Sequence, residues 1–303
     1  MQNITQNIIH AANQVILGKD RQIRMALACI LARGHLLIED LPGMGKTTLA
    51  HTLAQVLGLK FTRVQFTSDL LPADILGVSV YDRNNAVFKF HPGPVFTNVL
   101  LADEVNRATP KTQSALLEVM EEGQVTIEGE TRVLPQPFFV IATQNPAHHI
   151  GTFPLPESQL DRFLMRIELG YPDADSERNL LKNSGGRNQV ANITPCIDSA
   201  GLIRLQQAAQ HIHVSDALLD YLQAILQFTR SSPRYVNGLS PRAGLALRQC
   251  AQAWAMMEGR DFALPEDIQA VLPGVVGHRL QASGHEQGGT DPVEHLIQSV
   301  AVS

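Results

Sequence analysis

The chain has 303 residues, 44% of them hydrophobic, and a formal net charge of −5, which predicts about two domains with a real core and excludes a global basic footprint for nucleic acid. Cys29, Cys196 and Cys250 are scattered and lack CxxC spacing, so a disulfide framework or zinc knuckle has little support and a reducing, cytoplasmic setting fits. Met1 to Ile9 has no basic segment before its apolar residues, and the longest apolar run, Met25 to Ala32, is far short of the ~20 residues that span a bilayer, so a soluble protein without membrane insertion is expected.

In chain order, the first strong signal is a strand from His35 to Glu39, the loop Asp40-Leu41-Pro42-Gly43-Met44-Gly45-Lys46-Thr47-Thr48, and a helix from Thr47 to Leu57. Glycines let backbone N–H groups curl around phosphate oxygens and the helix N-terminus adds positive potential. Lys46 reaches the β- and γ-phosphates, and Thr47 ligates Mg²⁺. Nucleotide contacts therefore fall to Pro42, Gly43, Met44, Gly45, Lys46, Thr47 and Thr48. Asp40 stands where the general pattern has its first glycine, which leaves the tight turn to Leu41-Pro42-Gly43. Alone, this loop also fits an ordinary glycine-rich strand-to-helix turn.

A strand from Phe61 to Phe66 follows, then a hairpin from Val78 to Phe90 around Asp82-Arg83-Asn84-Asn85. The run Asn98-Val99-Leu100-Leu101-Ala102-Asp103-Glu104 reads as a buried parallel strand ending in two acids. Asp103 is expected to hold the Mg²⁺ shell through water and Glu104 to polarise the water that attacks the γ-phosphate. By itself the run could be a core strand with a solvated acidic turn; paired with Lys46 it becomes the second half of a metal-phosphate centre.

A second hairpin, Gln124 to Leu134 around Glu128-Gly129-Glu130, precedes strands at Phe138 to Ala142 and Leu164 to Leu169. These complete a five-stranded parallel sheet. Lys46, Asp103-Glu104 and Gln144-Asn145 all follow strands at the carboxyl edge, where such sheets bind ligands. His148-His149 and His211-Ile212-His213 do not converge on one helical face, so they read as loop and helix residues rather than a metal site. From Pro172 the composition shifts: Asp173 to Val190 is polar and broken by Gly185-Gly186. Helical patterns then run from Ile203 to His211, Asp216 to Arg230, Pro241 to Glu258 and Pro265 to Leu272. The expected organisation is an α/β core over 1–171, a smaller all-α domain over 172–280 and a tail over 281–303, mobile to Thr290.

Four further strings carry a resemblance: Phe66-Thr67-Ser68-Asp69-Leu70-Leu71-Pro72-Ala73-Asp74-Ile75, Gly93-Pro94-Val95-Phe96, Ala102-Asp103-Glu104-Val105-Asn106-Arg107-Ala108 and Leu155-Pro156-Glu157-Ser158-Gln159-Leu160-Asp161-Arg162-Phe163. With the phosphate loop, they resemble the MoxR family of AAA+ ATPases over nearly the whole chain, and the resemblance accommodates Asp40. It implies a AAA+ P-loop core with two hairpin insertions and a helical lid, ATP and Mg²⁺ as ligands, and hydrolysis in a homo-oligomeric ring, a hexamer. Asn145 resembles the sensor-1 residue that orients the attacking water, and Arg162 an arginine finger aimed at the neighbour's ATP. Arg242 resembles the sensor-2 arginine of the lid, its Pro241 start aiming the first turn at a nucleotide between core and lid. Ile16, Leu17 and Gly18 resemble the adenine-pocket segment, and Arg107 a residue of the subunit boundary. Read alone, Asn145 also fits a turn before Pro146, and Arg162 a surface ion pair.

For the ring's target, the resemblance implies chaperone-like remodelling, maturation or metal-centre activation of a partner protein, often one with a von Willebrand factor A domain. A DNA motor or loader and a nucleotide-gated scaffold are the alternatives. Glu128-Gly129-Glu130, with only Arg132 behind it, lacks the cations a DNA-gripping loop wants and favours a protein. Its lack of an aromatic favours local remodelling over threading. Glu104, Asn145 and Arg162 together disfavour a scaffold.

Overall fold

The structure, a computed structural model, describes residues 2–145, 152–182, 190, 192–283 and 291–301. The expectations placed on His148-His149, on Gly185-Gly186 and on 284–290 lie outside the described residues. Strands β1 (Leu36–Glu39), β2 (Phe61–Gln65), β5 (Val99–Asp103), β8 (Phe139–Gln144) and β9 (Met165–Ile167) form one parallel sheet in the order β2-β5-β8-β1-β9. The others pair as hairpins, β3 (Gly77–Asp82) with β4 (Val87–Pro92) and β6 (Gln124–Ile127) with β7 (Glu130–Val133). The expected α/β class, five-stranded sheet and two hairpin insertions are all present.

Every residue of β5 is buried, as are the first three of β1 and the first five of β8. Successive side chains point to opposite faces, so Leu36, Ile38, Leu101 and Ile141 join one core while Leu37, Leu100, Val140 and Ala142 join another. The first face is covered by α1 (Gln2–Asn13), α2 (Asp20–Leu31) and α3 (Lys46–Val56), and the second by α4 (Pro72–Leu76) and α5 (Pro110–Glu122). Helix α2 is not among the expected elements because its residues 25–31, all buried, form an unbroken apolar run that alone fits a buried strand as well as a helix.

After the short helices α6 (Glu157–Leu160) and α7 (Ala174–Lys182), the chain is helical: α8 (Ser199–Gln210), α9 (Asp216–Ser231), α10 (Pro241–Met257), α11 (Pro265–Val276) and α12 (Pro292–Ser299). The starts follow the capping rules. Asp198, Ser215 and Ser240 each accept a hydrogen bond from a backbone N–H in the first turn, and Pro241 and Pro265 lie in that turn, where no N–H is needed. Helix α11 runs four residues beyond its predicted end at Leu272, through Pro273, because Val275 and Val276 are fully buried. Its partner α12 closes on α9 and α11 through buried Leu296. The helical region shares one apolar core with the first face of the sheet, where α10 packs along α2.

His35 joins the layers. Its Nδ1 accepts from the Val140 N–H at 2.9 Å and its Nε2 donates to the Met120 carbonyl at 3.0 Å. Burial pulls the imidazole from 6.5 down to about 4, so the folded protein holds it neutral. Because the folded value lies below the unfolded one, this stability is complete above pH 6.5 and is lost as pH falls from there toward 4, by up to roughly 3 kcal/mol. His35→Gln should therefore lower the melting temperature at pH 7.5 and flatten its decline between pH 6.5 and 4, as scanning calorimetry across pH would register.

Candidate active site

Strand β1 delivers the phosphate loop to the carboxyl edge of the sheet. Gly43 and Gly45 have φ of 85° and 90°, the left-handed region in which glycine is at home. Asp40 explains why the loop departs from the common pattern. Its Oδ2 accepts from the N–H groups of Leu169 and Gly170 at 2.8 and 2.7 Å, and its Oδ1 from that of Leu41 at 2.7 Å. A carboxylate thus ties the loop to the exit of β9. The same stretch meets the predicted adenine segment: Lys19 donates to the Tyr171 carbonyl at 2.6 Å, and a Cβ on Gly18 would lie 2.6 Å from Ser176 Oγ. Ile16 is buried there and Leu17 half-buried.

Lys46 begins α3 and is itself mostly buried. Its Nζ donates to the Asp40 carbonyl at 2.5 Å, to Asn145 Oδ1 at 3.0 Å and to the Gln144 carbonyl at 3.4 Å. Burial pulls the ammonium below the ordinary lysine range, and the charges of Asp40, Asp103, Glu104 and Glu39 oppose that pull. Asn145 also donates from Nδ2 to Glu104 Oε1 at 3.2 Å, so one amide bridges the cation and the acid.

Asp103 and Glu104 are held by groups that local sequence does not advertise. Thr143, on β8, donates its hydroxyl to Asp103 Oδ1 at 2.6 Å and accepts the Glu104 N–H at 2.9 Å. Arg63, on β2, reaches Asp103 Oδ2 at 2.6 Å, while Gln65 and Arg107 each donate to Glu104 Oε2 at 2.9 Å. The only pointer to them would have been strand register, which sets Gln65 opposite Asp103. Glu104 has φ 56° and ψ 49°, a left-handed conformation that costs a side-chain-bearing residue about 1–3 kcal/mol.

Among the described residues no group of three His, Cys, Asp or Glu could hold a metal. The donors beside the loop are the Thr47 and Thr48 hydroxyls and the committed Asp103 carboxylate. That set fits Mg²⁺, which keeps waters and takes phosphate oxygens rather than needing an all-protein cage.

Arg162 and Arg242 do not join this cluster. Arg162 Nη2 lies 3.1 Å from Glu121 Oε2, and Arg242 Nη2 donates to Glu121 Oε1 at 2.8 Å. The Arg242 hydrogen bond and the charge of Arg162 hold the Glu121 carboxyl below its usual range. Both arginines line a cleft of about 320 Å³ with His35, at the amino end of β1, whereas Glu39 at the other end lines the cleft of Asn145. Four residues of strand separate these ends, about 13 Å. Arg242 is expected to turn toward a nucleotide between core and lid; here it pairs with Glu121 near the end of α5, while α10 packs along α2.

Replacing Asp40 by the glycine of the common loop should weaken nucleotide binding about tenfold, since three backbone donors lose their acceptor, together worth roughly 1–2 kcal/mol in loop geometry. Titration with a fluorescent ATP analogue measures this; unchanged affinity would mean the loop keeps its shape without the tie.

Residues 35–165 match the ATPase family associated with various cellular activities (AAA), and residues 227–298 the AAA lid domain. The chain is 46% identical to the uncharacterized protein YeaC of Bacillus subtilis over 268 residues, covering 88% of this chain and 84% of that one. It is 39% identical to Chaperone MoxR1 of Mycobacterium tuberculosis over 310 residues, covering 98% and 82%. A crystal structure of a candidate ATPase from Cytophaga hutchinsonii superposes with a TM-score of 0.90 at 36% identity, covering 100% of this chain and 96% of that one. With a AAA match over 35–165, a AAA lid match over 227–298 and 39% identity to Chaperone MoxR1 along nearly its whole length, this chain belongs to the MoxR family of AAA+ ATPases.

Proposed function

We propose that this chain hydrolyses ATP with Mg²⁺ in a homo-oligomeric ring, a hexamer, and uses the cycle to remodel or activate a partner protein. The observation that carries the reading is the division of charged groups between the two edges of the sheet. Lys46, Asp103, Glu104 and Asn145 lie at the carboxyl edge, and Arg162 and Arg242 share Glu121 at the amino edge. An arginine pair that far from its own phosphate loop serves a nucleotide on a neighbouring copy. A head-to-tail contact of this kind closes into a ring.

In that assembly Glu104 takes a proton from water as the water oxygen bonds to the γ-phosphorus, and the bond from that phosphorus to the ADP oxygen breaks. Asn145 orients the water while its other amide atom stays on Lys46. Lys46 neutralises charge growing on the phosphates, and the neighbour's Arg162 and Arg242 complete the shell. Thr47 as a direct ligand and Asp103 through water would hold Mg²⁺, which would supply positive charge to the transferring phosphoryl group. Ile16, Leu17 and Gly18 flank the adenine.

For the partner, the name Chaperone MoxR1 borne by one relative supports protein remodelling, and a von Willebrand factor A domain is the target the family resemblance favours. Arg132 is paired with Glu130 and stacks 4.1 Å from the centre of the Phe90 ring, so the second hairpin offers no spare cation for a phosphate backbone. The first hairpin instead exposes Phe88 and Tyr81, their rings 5.3 Å apart. These side chains give the assembly an aromatic contact for protein that the second hairpin lacks.

Glu104→Gln should cut turnover at least 100-fold with nucleotide affinity unchanged. Arg162→Ala and Arg242→Ala should each lower it roughly 10³-fold or more, the scale of a missing finger, and regain activity when mixed with Glu104→Gln. Steady-state hydrolysis on single and mixed proteins over a concentration series tests this; wild-type turnover by Glu104→Gln, or mixtures no more active than their components, would overturn it. Adding a von Willebrand A-domain protein or single-stranded DNA to the assay separates the partner classes by which one stimulates.

A further inference from the structure

We infer that Arg279 is a positioning residue for Arg162, making the arginine presented to the next subunit depend on the lid of the subunit that carries it. The inference rests on the reading of Arg162 as a trans-acting group. Arg279 follows α11, and its side chain is only 6% exposed. It reaches back 118 positions to the turn that bears Arg162: Nε donates to Asp161 Oδ1 at 2.6 Å, Nη2 to the carbonyls of Asp161 and Phe163 at 3.1 and 2.8 Å, and Nη1 to that of Leu164 at 3.2 Å. Its remaining N–H donates to Val275, one turn earlier on its own helix. All five donors of the guanidinium are thereby engaged.

Arg279 has help from both sides of the turn. His278 Nε2 lies 3.1 Å from the Phe163 carbonyl, so two consecutive lid residues meet the same segment. Opposite them Gly34 leaves no room: a Cβ there would lie 2.2 Å from Leu164 Cβ. The backbone on either side of Arg162 is therefore pinned between the core and the end of α11, and the Arg162 side chain alone projects, toward Glu121. Arg279 itself touches neither Glu121 nor the phosphate loop. Its influence on hydrolysis must pass through the turn.

Arg279→Lys keeps the charge but cannot reproduce the planar fork that spans three carbonyls and a carboxylate. In the full-length protein it should lower kcat 10- to 100-fold, leave ATP affinity and KM within twofold, and be rescued by mixing with Glu104→Gln, which supplies an intact Arg162 turn. Asp161→Asn, which weakens only the Nε contact, should show a three- to tenfold loss with the same rescue and a near-native melting temperature. Arg162→Ala is run alongside. Rescue of Arg162→Ala without rescue of either Arg279→Lys or Asp161→Asn overturns the positioning role while leaving the trans arginine standing. Wild-type turnover by Arg279→Lys overturns it as well. Failure to rescue Arg162→Ala removes the underlying reading, and this inference with it.

Discussion

Burial on both faces is the constraint from which the rest of the molecule follows. Strands β1, β5 and β8 carry apolar side chains above and below the sheet, so polar chemistry can only stand at their ends. A parallel sheet has two such ends and they are not alike. At the carboxyl edge, strands open into loops and a helix start that favour anions, and there the lysine, the acids and the amide collect. At the amino edge, α5 ends in a carboxylate that gathers two arginines. The Thr143 hydroxyl shows how tightly the first edge is built, binding the side chain of one acid and the main chain of the next.

What could be read from the chain was what is local in it. The phosphate loop, Asp103-Glu104 and Asn145 each stand at the carboxyl end of a strand, so the sequence alone brings them to one edge. Arg63, Gln65 and Thr143 are single polar residues on strands, and they gain meaning only from neighbours 39 or 40 positions away. Arg242 is legible as a cation at a helix start, while its pairing with Glu121 depends on how α10 lies on α2. Glu121 was silent for a similar reason: one acid at the end of an acidic helix, until two arginines from distant segments converge on it.

Asp40 marks the boundary between a motif and a fold. A glycine at that position would satisfy the loop alone. The carboxylate satisfies the loop and the exit of β9 together, and β9 leads into the stretch that meets Gly18 and Lys19. The loop, the exit of β9 and the segment at Gly18-Lys19 are thus connected through one residue rather than folded independently.

Helix α5 connects the two edges mechanically. It starts just after Arg107, which holds Glu104, and ends at the carboxylate that holds Arg162 and Arg242. Beyond its Gly123 cap it runs straight into the second hairpin, whose Arg132 rests on Phe90 of the first. Thirteen residues of helix make a stiff rod of about 20 Å. Such a rod cannot shift at one end and stay still at the other. A displacement beside Glu104 would be carried along this helix to the Glu121 carboxylate and the second hairpin, so the two edges of the sheet share one mechanical element.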